Sequence, residues 1–292
     1  MFKGSIVAIV TPFDREGNFD EETFRQLIEF QIENGTDAIV PCGSTGEAAT
    51  LDHAGHTEVI RACVEQVNKR VPILAGTGSN STSEAIELTR AAKEAGADGA
   101  LLITPYYNKP SQEGLYQHFK AVAEQVALPQ MLYNVPGRTG INLAVETTVR
   151  LAKLTNVIGL KDASGGVNQA GEILARTGEE FAILSGDDAL TLPFMAVGAK
   201  GVISVTANIM PAAVKSLVRA VEEGRWTDAR RQHLKLLDIH DAMFIESNPT
   251  PVKAALELMG KCSARVRLPL VTMQPQSIEQ LKAVMARHGL LA

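Results

Sequence analysis

Short apolar runs bounded by turn residues recur along the chain, at 5–10, 38–40, 72–75, 99–104, 130–133, 157–160, 181–184 and 201–205. They are rich in Val, Ile and Leu and mostly continuous rather than alternating, the pattern of strands buried on both faces. Between them lie stretches with apolar residues at helical spacing. Residues 21–34 carry Phe24, Leu27, Ile28 and Ile32, and 57–67 carry Val59, Ile60, Val64 and Val67. Residues 83–95, 114–126, 144–154, 168–176 and 190–197 continue the series. Gly35, Gly96 and Gly198 stand at helix exits, each just before the next run. The phrase Glu33-Asn34-Gly35-Thr36-Asp37-Ala38 has a weak echo in Glu94-Ala95-Gly96-Ala97-Asp98-Gly99, as a repeated βα unit would leave.

Strands alternating with helices over about 225 residues predict a (β/α)8 TIM barrel across 1–224. The competing open, doubly wound sheet calls for a phosphate-binding glycine fingerprint after its first strand. Thr11-Pro12-Phe13-Asp14 stands there instead. After Gly224 the strands stop. Residues 226–245, 251–259 and 277–287 read as helices, so 225–292 is expected to form a C-terminal helical region packed on the barrel.

Composition narrows the partners. The chain has 292 residues, with 28 Lys and Arg against 33 Asp and Glu, a net charge of −5. Phosphate binding needs a basic surface, so nucleic acid is not expected. No run approaches the ~18 apolar residues of a membrane span. The N-terminal run lacks the flanks of a signal peptide and reads as a strand. Cys42, Cys63 and Cys262 are an odd, scattered set, which suits free thiols in a reducing cytoplasm.

In such a barrel the chemistry sits at the C-terminal ends of the strands. The sixth run ends Val157-Ile158-Gly159-Leu160-Lys161-Asp162. Alternation places Lys161, Gly159 and Val157 on the inner face, and Ile158 and Leu160 toward the helices. A desolvated amine there favours its neutral form and can attack a carbonyl to give a Schiff base. The plain alternative is a lysine that reaches water or pairs with Asp162. Tyr133, at the end of the fifth run, points inward one strand away; it either shuttles protons or fills the barrel top. Gly43-Ser44-Thr45-Gly46 follows the second run and offers backbone N–H groups and hydroxyls as a carboxylate cradle, or an ordinary turn. Arg138 can grip a carboxylate bidentately. Tyr106 and Tyr107, between prolines, form a stiff aromatic loop suited to an interface. Asp187 and Asp188 could bind a metal, but helix capping fits them better.

Three further features carry less. Gly76-Thr77-Gly78 lacks the third glycine of a dinucleotide loop. His53 and His56 lack a third metal ligand. Cys42 has no histidine at a neighbouring strand end to activate it.

GSTGE at 43–47, TPYYNKPSQEGLYQHF at 104–119, LYNVPGRTG at 132–140, GLKDASG at 159–165 and GVISVTAN at 201–208 together resemble the dihydrodipicolinate synthase family. It belongs to the pyruvate-dependent class I aldolases, a superfamily that also holds N-acetylneuraminate lyase. The resemblance runs from the first strand to the C-terminus. It implies that Lys161 forms the Schiff base with pyruvate, with Tyr133, Ser44 and Tyr107 as a proton relay and Tyr107 supplied by a neighbouring subunit. Thr45 would hold the pyruvate carboxylate, Arg138 the carboxylate of L-aspartate-4-semialdehyde, and the Ile203 carbonyl would line the site. Condensation of these substrates belongs to lysine and diaminopimelate biosynthesis; no metal or organic cofactor is implied. The cradle's first hydroxyl, often Thr in the family, is Ser44 here.

The family is typically a homotetramer, a dimer of dimers. L-lysine inhibits some members, at positions matching Ala49, His53, His56, Asn80, Glu84 and Tyr106. Ala48 stands where inhibited members can have Ser. Two other readings compete: a lyase for N-acetylneuraminate or a 2-keto-3-deoxy sugar acid, and a barrel that binds a small acid without chemistry. A polyol substrate would want hydroxyls and amides at the mouth, where this chain has Arg138.

Overall fold

The computed structural model describes residues 2–291. Eight strands form the core: β1 (Gly4–Ala8), β2 (Ala38–Val40), β3 (Leu74–Gly76), β4 (Gly99–Ile103), β5 (Gln130–Asn134), β6 (Val157–Asp162), β7 (Ala182–Ser185) and β8 (Gly201–Ser204). They pair in parallel in the order β2-β1-β8-β7-β6-β5-β4-β3. A parallel bridge between Ile39 and Ile73 joins the two ends. Gly76 N–H also donates to the Pro41 carbonyl at 2.9 Å. The sheet thus closes into the expected (β/α)8 barrel, with no free edge.

The outer helices follow from capping as well as from periodicity. Asp20, Asp52, Ser81 and Ser111 accept backbone N–H groups at the starts of Glu21–Glu33, His53–Val67, Thr82–Ala95 and Gln112–Gln125. Val145–Leu151, Val167–Thr177 and Thr191–Ala196 continue the ring. Pro211–Glu222 completes it and lies outside the sequence expectation, although Val214, Leu217 and Val218 carry the right spacing. Its proline is an opener rather than a breaker, because the first helical turn needs no N–H donor there. No helix of the described residues is long and apolar enough to cross a membrane.

Apolar side chains divide by strand face. Ile6, Ala8, Val40, Leu74, Leu101, Met131, Leu184 and Ile203 fill the barrel interior. Leu102, Leu132, Leu160 and Ile183 point outward against the helices. Simple alternation fails at one place. The register of β5 on β6 slips between Gln130 and Met131, so Met131 pairs with Gly159 rather than with Ile158. Val157 therefore packs outward with Leu160, and Ile158 turns inward, the reverse of the expectation. Beyond the slip Gly159 and Lys161 keep the expected inner face. A Cβ on Gly159 would lie 2.3 Å from the Ala182 carbonyl oxygen, so only glycine lets β7 approach here.

The C-terminal helices Trp226–Ala242, Thr250–Leu258 and Pro275–Arg287 join the main apolar cluster through Leu236, Ile239, Val252, Leu256, Leu281 and Met285. A buried ion pair reaches from this region to the loop after β2. Lys253 Nζ lies 2.7 Å from Glu47 Oε1, with the two side chains 0% and 1% exposed. Burial lowers the Lys253 pKa against the opposing pull of Glu47. The other Glu47 oxygen accepts the Arg267 backbone N–H at 2.8 Å.

Candidate active site

The top of the barrel holds a cavity of about 460 Å³. Its wall includes Ser44, Thr45, Tyr133, Arg138, Lys161 and Gly186, with Asp187, His240, Asp241, Phe244 and Asn248 on the rest of the surface. The barrel thus brings five of the expected residues to one place: Ser44, Thr45, Tyr133, Arg138 and Lys161.

Lys161 is 6% exposed. Its neighbour in register on β5 is Tyr133, and Nζ sits 4.2 Å from the centre of that ring. Asp162 does not pair with it. That carboxylate faces Asn134 Nδ2 (3.4 Å) and the Ser164 N–H (2.9 Å), and burial raises its pKa. Lys161 makes no ion pair with any described residue, so the plain alternative of a lysine held by Asp162 fails. Room for its stem comes from Gly186, where a Cβ would stand 3.1 Å from Lys161 Cε and 2.8 Å from Ala163 Cβ.

The loop after β2 turns tightly. Ala48 N–H donates to the Gly43 carbonyl (3.3 Å), and Thr11 Oγ1 donates to that of Gly46 (2.7 Å). Glu47 takes a left-handed backbone, φ 55°, which its buried ion pair holds in place. Thr45 Oγ1 accepts from Asn248 Nδ2 at 3.0 Å. The Asn248 carbonyl in turn accepts from the Arg138 guanidinium at 3.1 Å. One asparagine therefore ties Thr45, in the loop after β2, to the Arg138 guanidinium.

Sequence reasoning missed Asn248, Lys253 and His240. Asn248 and Lys253 reach the loop after β2 across separations of 203 and 206 residues, and His240 meets Thr206 across 34. The only local signal was the proline pair, Pro249 and Pro251, that punctuates the segment.

Asp187 and Asp188 separate, as the capping reading expects. Asp187 accepts the Ala189 N–H at 2.9 Å. Asp188 is buried and accepts from the Ser204 hydroxyl and the Val205 N–H, the latter at 2.9 Å. Cys42 is buried and its thiol is pushed well above the usual range, which leaves no ready nucleophile. Ile203 packs in the barrel interior, and Val205, two residues on, reaches the cavity wall. Tyr107 is apart from the rest: it is 90% exposed, at φ 72°, on the loop after β4.

A second cavity, of about 420 Å³, adjoins the first and shares Ser44, Arg138 and Asn248 with it. Ala49, His53, His56, Glu84 and Tyr106 line it. Asn80 donates to the Tyr106 carbonyl at 3.2 Å. The histidines have different partners: His53 Nε2 meets Glu84 Oε1 at 2.9 Å, and His56 Nε2 donates to the Gly76 carbonyl at 2.8 Å. Glu84 lies low in pKa, held first by the Ser79 hydroxyl and then by His53.

Known proteins resemble this chain over its whole length. A 4-hydroxy-tetrahydrodipicolinate synthase of Syntrophotalea carbinolica is 66% identical over 291 residues, 100% of this chain and 99% of its own. The chloride-inhibited dihydrodipicolinate synthase of Acinetobacter baumannii, solved with pyruvate, superposes with a TM-score of 0.98 at 48% identity, each chain covered in full (100%). The DHDPS of Cyanidioschyzon merolae, solved with lysine bound, gives a TM-score of 0.97 at 42% identity, over 99% of both chains. The model of the dihydrodipicolinate synthetase family matches residues 1–288, and with relatives this similar over their whole length the chain belongs to that family.

Proposed function

We propose that the chain is a lyase that condenses pyruvate with L-aspartate-4-semialdehyde, as a 4-hydroxy-tetrahydrodipicolinate synthase of lysine and diaminopimelate biosynthesis. The observation that carries this reading is Lys161, buried, free of any carboxylate partner among the described residues, and on the wall of a cavity that also holds Tyr133, Thr45 and Arg138. The Lys161 amine attacks the pyruvate keto carbon, and water leaves as the iminium forms. The iminium draws electrons from the methyl group, which loses a proton to give an enamine. The enamine carbon attacks the aldehyde. The amine of the second substrate then closes on the iminium carbon and displaces Lys161. Thr45 and the loop N–H groups take the pyruvate carboxylate.

Each of these steps moves a proton, and the relay comprises Tyr133, Ser44 and Tyr107. Tyr107 lies exposed on its own chain; in this reading a neighbouring subunit supplies it, as the family resemblance implies, within a homotetramer made as a dimer of dimers. Three free thiols, two of them buried, suit the cytoplasm.

A direct assay separates this reaction from its rivals. The purified chain should consume pyruvate only when the semialdehyde is present, and should leave N-acetylneuraminate uncleaved. Cleavage of the sugar acid without condensation would overturn the assignment. Arg138→Ala should raise KM for the semialdehyde by about 10- to 100-fold, since a charge-assisted hydrogen bond contributes about 1.5–3 kcal/mol. KM for pyruvate should change far less, and an equal loss on both would remove Arg138 from its role.

The second cavity fits L-lysine as an inhibitor. Its Glu84 carboxylate suits an ammonium group, and Ala48, without a hydroxyl, sets this chain apart from inhibited relatives that have Ser. His53 competes for that carboxylate. Its pKa is raised, chiefly by Glu84, so it stays protonated to higher pH than a free imidazole and releases Glu84 only above that point. Lysine inhibition should therefore strengthen as pH rises through this value. The check is the inhibition constant between about pH 6 and 8.5, around the ordinary histidine value. His53→Gln should flatten the profile; the same slope in that variant would rule out the competition.

A further inference from the structure

Leu132 and Leu160 face outward on β5 and β6, and one outward position further on the strands end, in register, on Asn134 and Asp162. Both are 0% exposed. A buried side-chain amide costs free energy unless its hydrogen-bonding groups are matched. Asn134 matches all of its own. Nδ2 donates to Asn142 Oδ1 at 2.7 Å and to Asp162 Oδ1 at 3.4 Å, and Oδ1 accepts the Leu143 N–H at 3.0 Å. Two acceptors on one side and a backbone donor on the other leave the amide one orientation. Leu143 is buried in the same apolar cluster as Leu132 and Leu160, and Asn134 is the partner of its N–H among the described residues.

Two of these three bonds close one short excursion of the chain. It leaves β5 at Val135, makes the helical turn Pro136–Thr139, and comes back to Asn134 at Asn142 and Leu143. Arg138 stands near its middle. That side chain is exposed, and its one hydrogen bond among the described residues is to the Asn248 carbonyl. Where the guanidinium stands therefore depends on where the turn is held. Gln112 and Gln169 hold the returning stretch from the helix layer, at the Asn142 carbonyl (2.8 Å) and the Leu143 carbonyl (3.3 Å). Thr104 Oγ1 meets Thr139 Oγ1 at 3.3 Å. Asn134 ties the same stretch to the strand that carries Tyr133, beside the strand that carries Lys161.

We propose that Asn134 is a positioning residue for the condensation: its side-chain amide fixes the base of the turn on β5 and so sets where Arg138 stands relative to Lys161. The proposal rests on the reaction described above and adds a residue that touches neither substrate, since Asn134 is outside the cavity wall. Its effect passes through Arg138. Displacing a positioned group by about 1 Å can cost as much as about 100-fold, so a buried amide behind the site can matter as much as a contact within it.

The test is a double-mutant cycle read on KM. Asn134→Ala leaves the Leu143 N–H buried without an acceptor, and KM for L-aspartate-4-semialdehyde should rise about tenfold. KM for pyruvate, and the yield of Schiff base trapped on Lys161 by borohydride, should each change less than about twofold. In the Arg138→Ala background the same substitution should add less than about twofold, because the group it positions is gone. Asn142→Ala removes an exposed side chain, so it should fold, and should show the same pattern at about threefold. It decides the question if Asn134→Ala is unstable. A rise of the same size on top of Arg138→Ala, or an equal loss on pyruvate, would make Asn134 a general support of the fold. No rise in either variant would show that Gln112, Gln169 and Thr104 hold the turn unaided. Each of these results overturns the proposal. Condensation by the unaltered chain is measured first. Its absence would defeat the assigned reaction itself, and this proposal with it, whereas a normal rate with additive variants would defeat only the proposal.

Discussion

Lys161→Ala is expected to lower turnover by about three orders of magnitude or more while the protein stays folded. The size follows from what is lost. Without the amine no iminium forms, and nothing else in the cavity can withdraw electrons from the pyruvate methyl group. The fold should survive because the side chain makes no hydrogen bond or ion pair to any described residue and already borders a cavity of about 460 Å³. The comparison is steady-state turnover beside a thermal melt. Turnover near that of the unaltered protein would place the chemistry elsewhere, and a collapsed melt would make the loss structural.

The second large effect is one of stability. Glu47→Gln should destabilise the protein by roughly 3–5 kcal/mol, because it leaves the Lys253 ammonium buried without its countercharge. For a chain of this size that is a fall in melting temperature on the order of 10 °C. Gln keeps the size of the side chain, so the loss would be electrostatic. Replacing both partners, Glu47→Leu with Lys253→Met, should recover much of the stability, since two apolar groups of similar volume need no countercharge. The pair joins the C-terminal helices to the loop that carries Ser44 and Thr45, so Glu47→Gln should also weaken pyruvate binding. A melting temperature within about 2 °C of the unaltered protein would show that the pair contributes little.

The sequence carried the barrel because the signals are local. Continuous Val, Ile and Leu runs mark strands covered on both faces, and apolar residues at helical spacing mark the helices between them, whereas the capping residues Asp52, Ser81 and Ser111, ahead of the expected starts at 57, 83 and 114, came from the structure. Where alternation met an unbroken register, as from Gly159 to Lys161, facing was legible. It failed at Val157 and Ile158 because the slip against β5 is a property of two strands together. The helix Pro211–Glu222 had legible spacing but opened on a proline.

The site divides the same way. Lys161, Tyr133, Thr45 and Arg138 sit where strands end, so the barrel rule finds them. Asn248, His240 and the Glu47–Lys253 pair arrive from the far end of the chain, and no period in the sequence connects them with the loops they touch. Tyr107 was legible as a motif only; on this chain it is 90% exposed and outside the cavity wall.

The central claim is that the buried amine of Lys161 captures pyruvate. Borohydride added with pyruvate would reduce the Schiff base to a stable secondary amine, and mass spectrometry of the digested protein would locate it. One reduced pyruvate adduct per chain, on the peptide containing Lys161 and missing from Lys161→Ala, is the predicted result. An unmodified protein, or an adduct on another lysine, would contradict it.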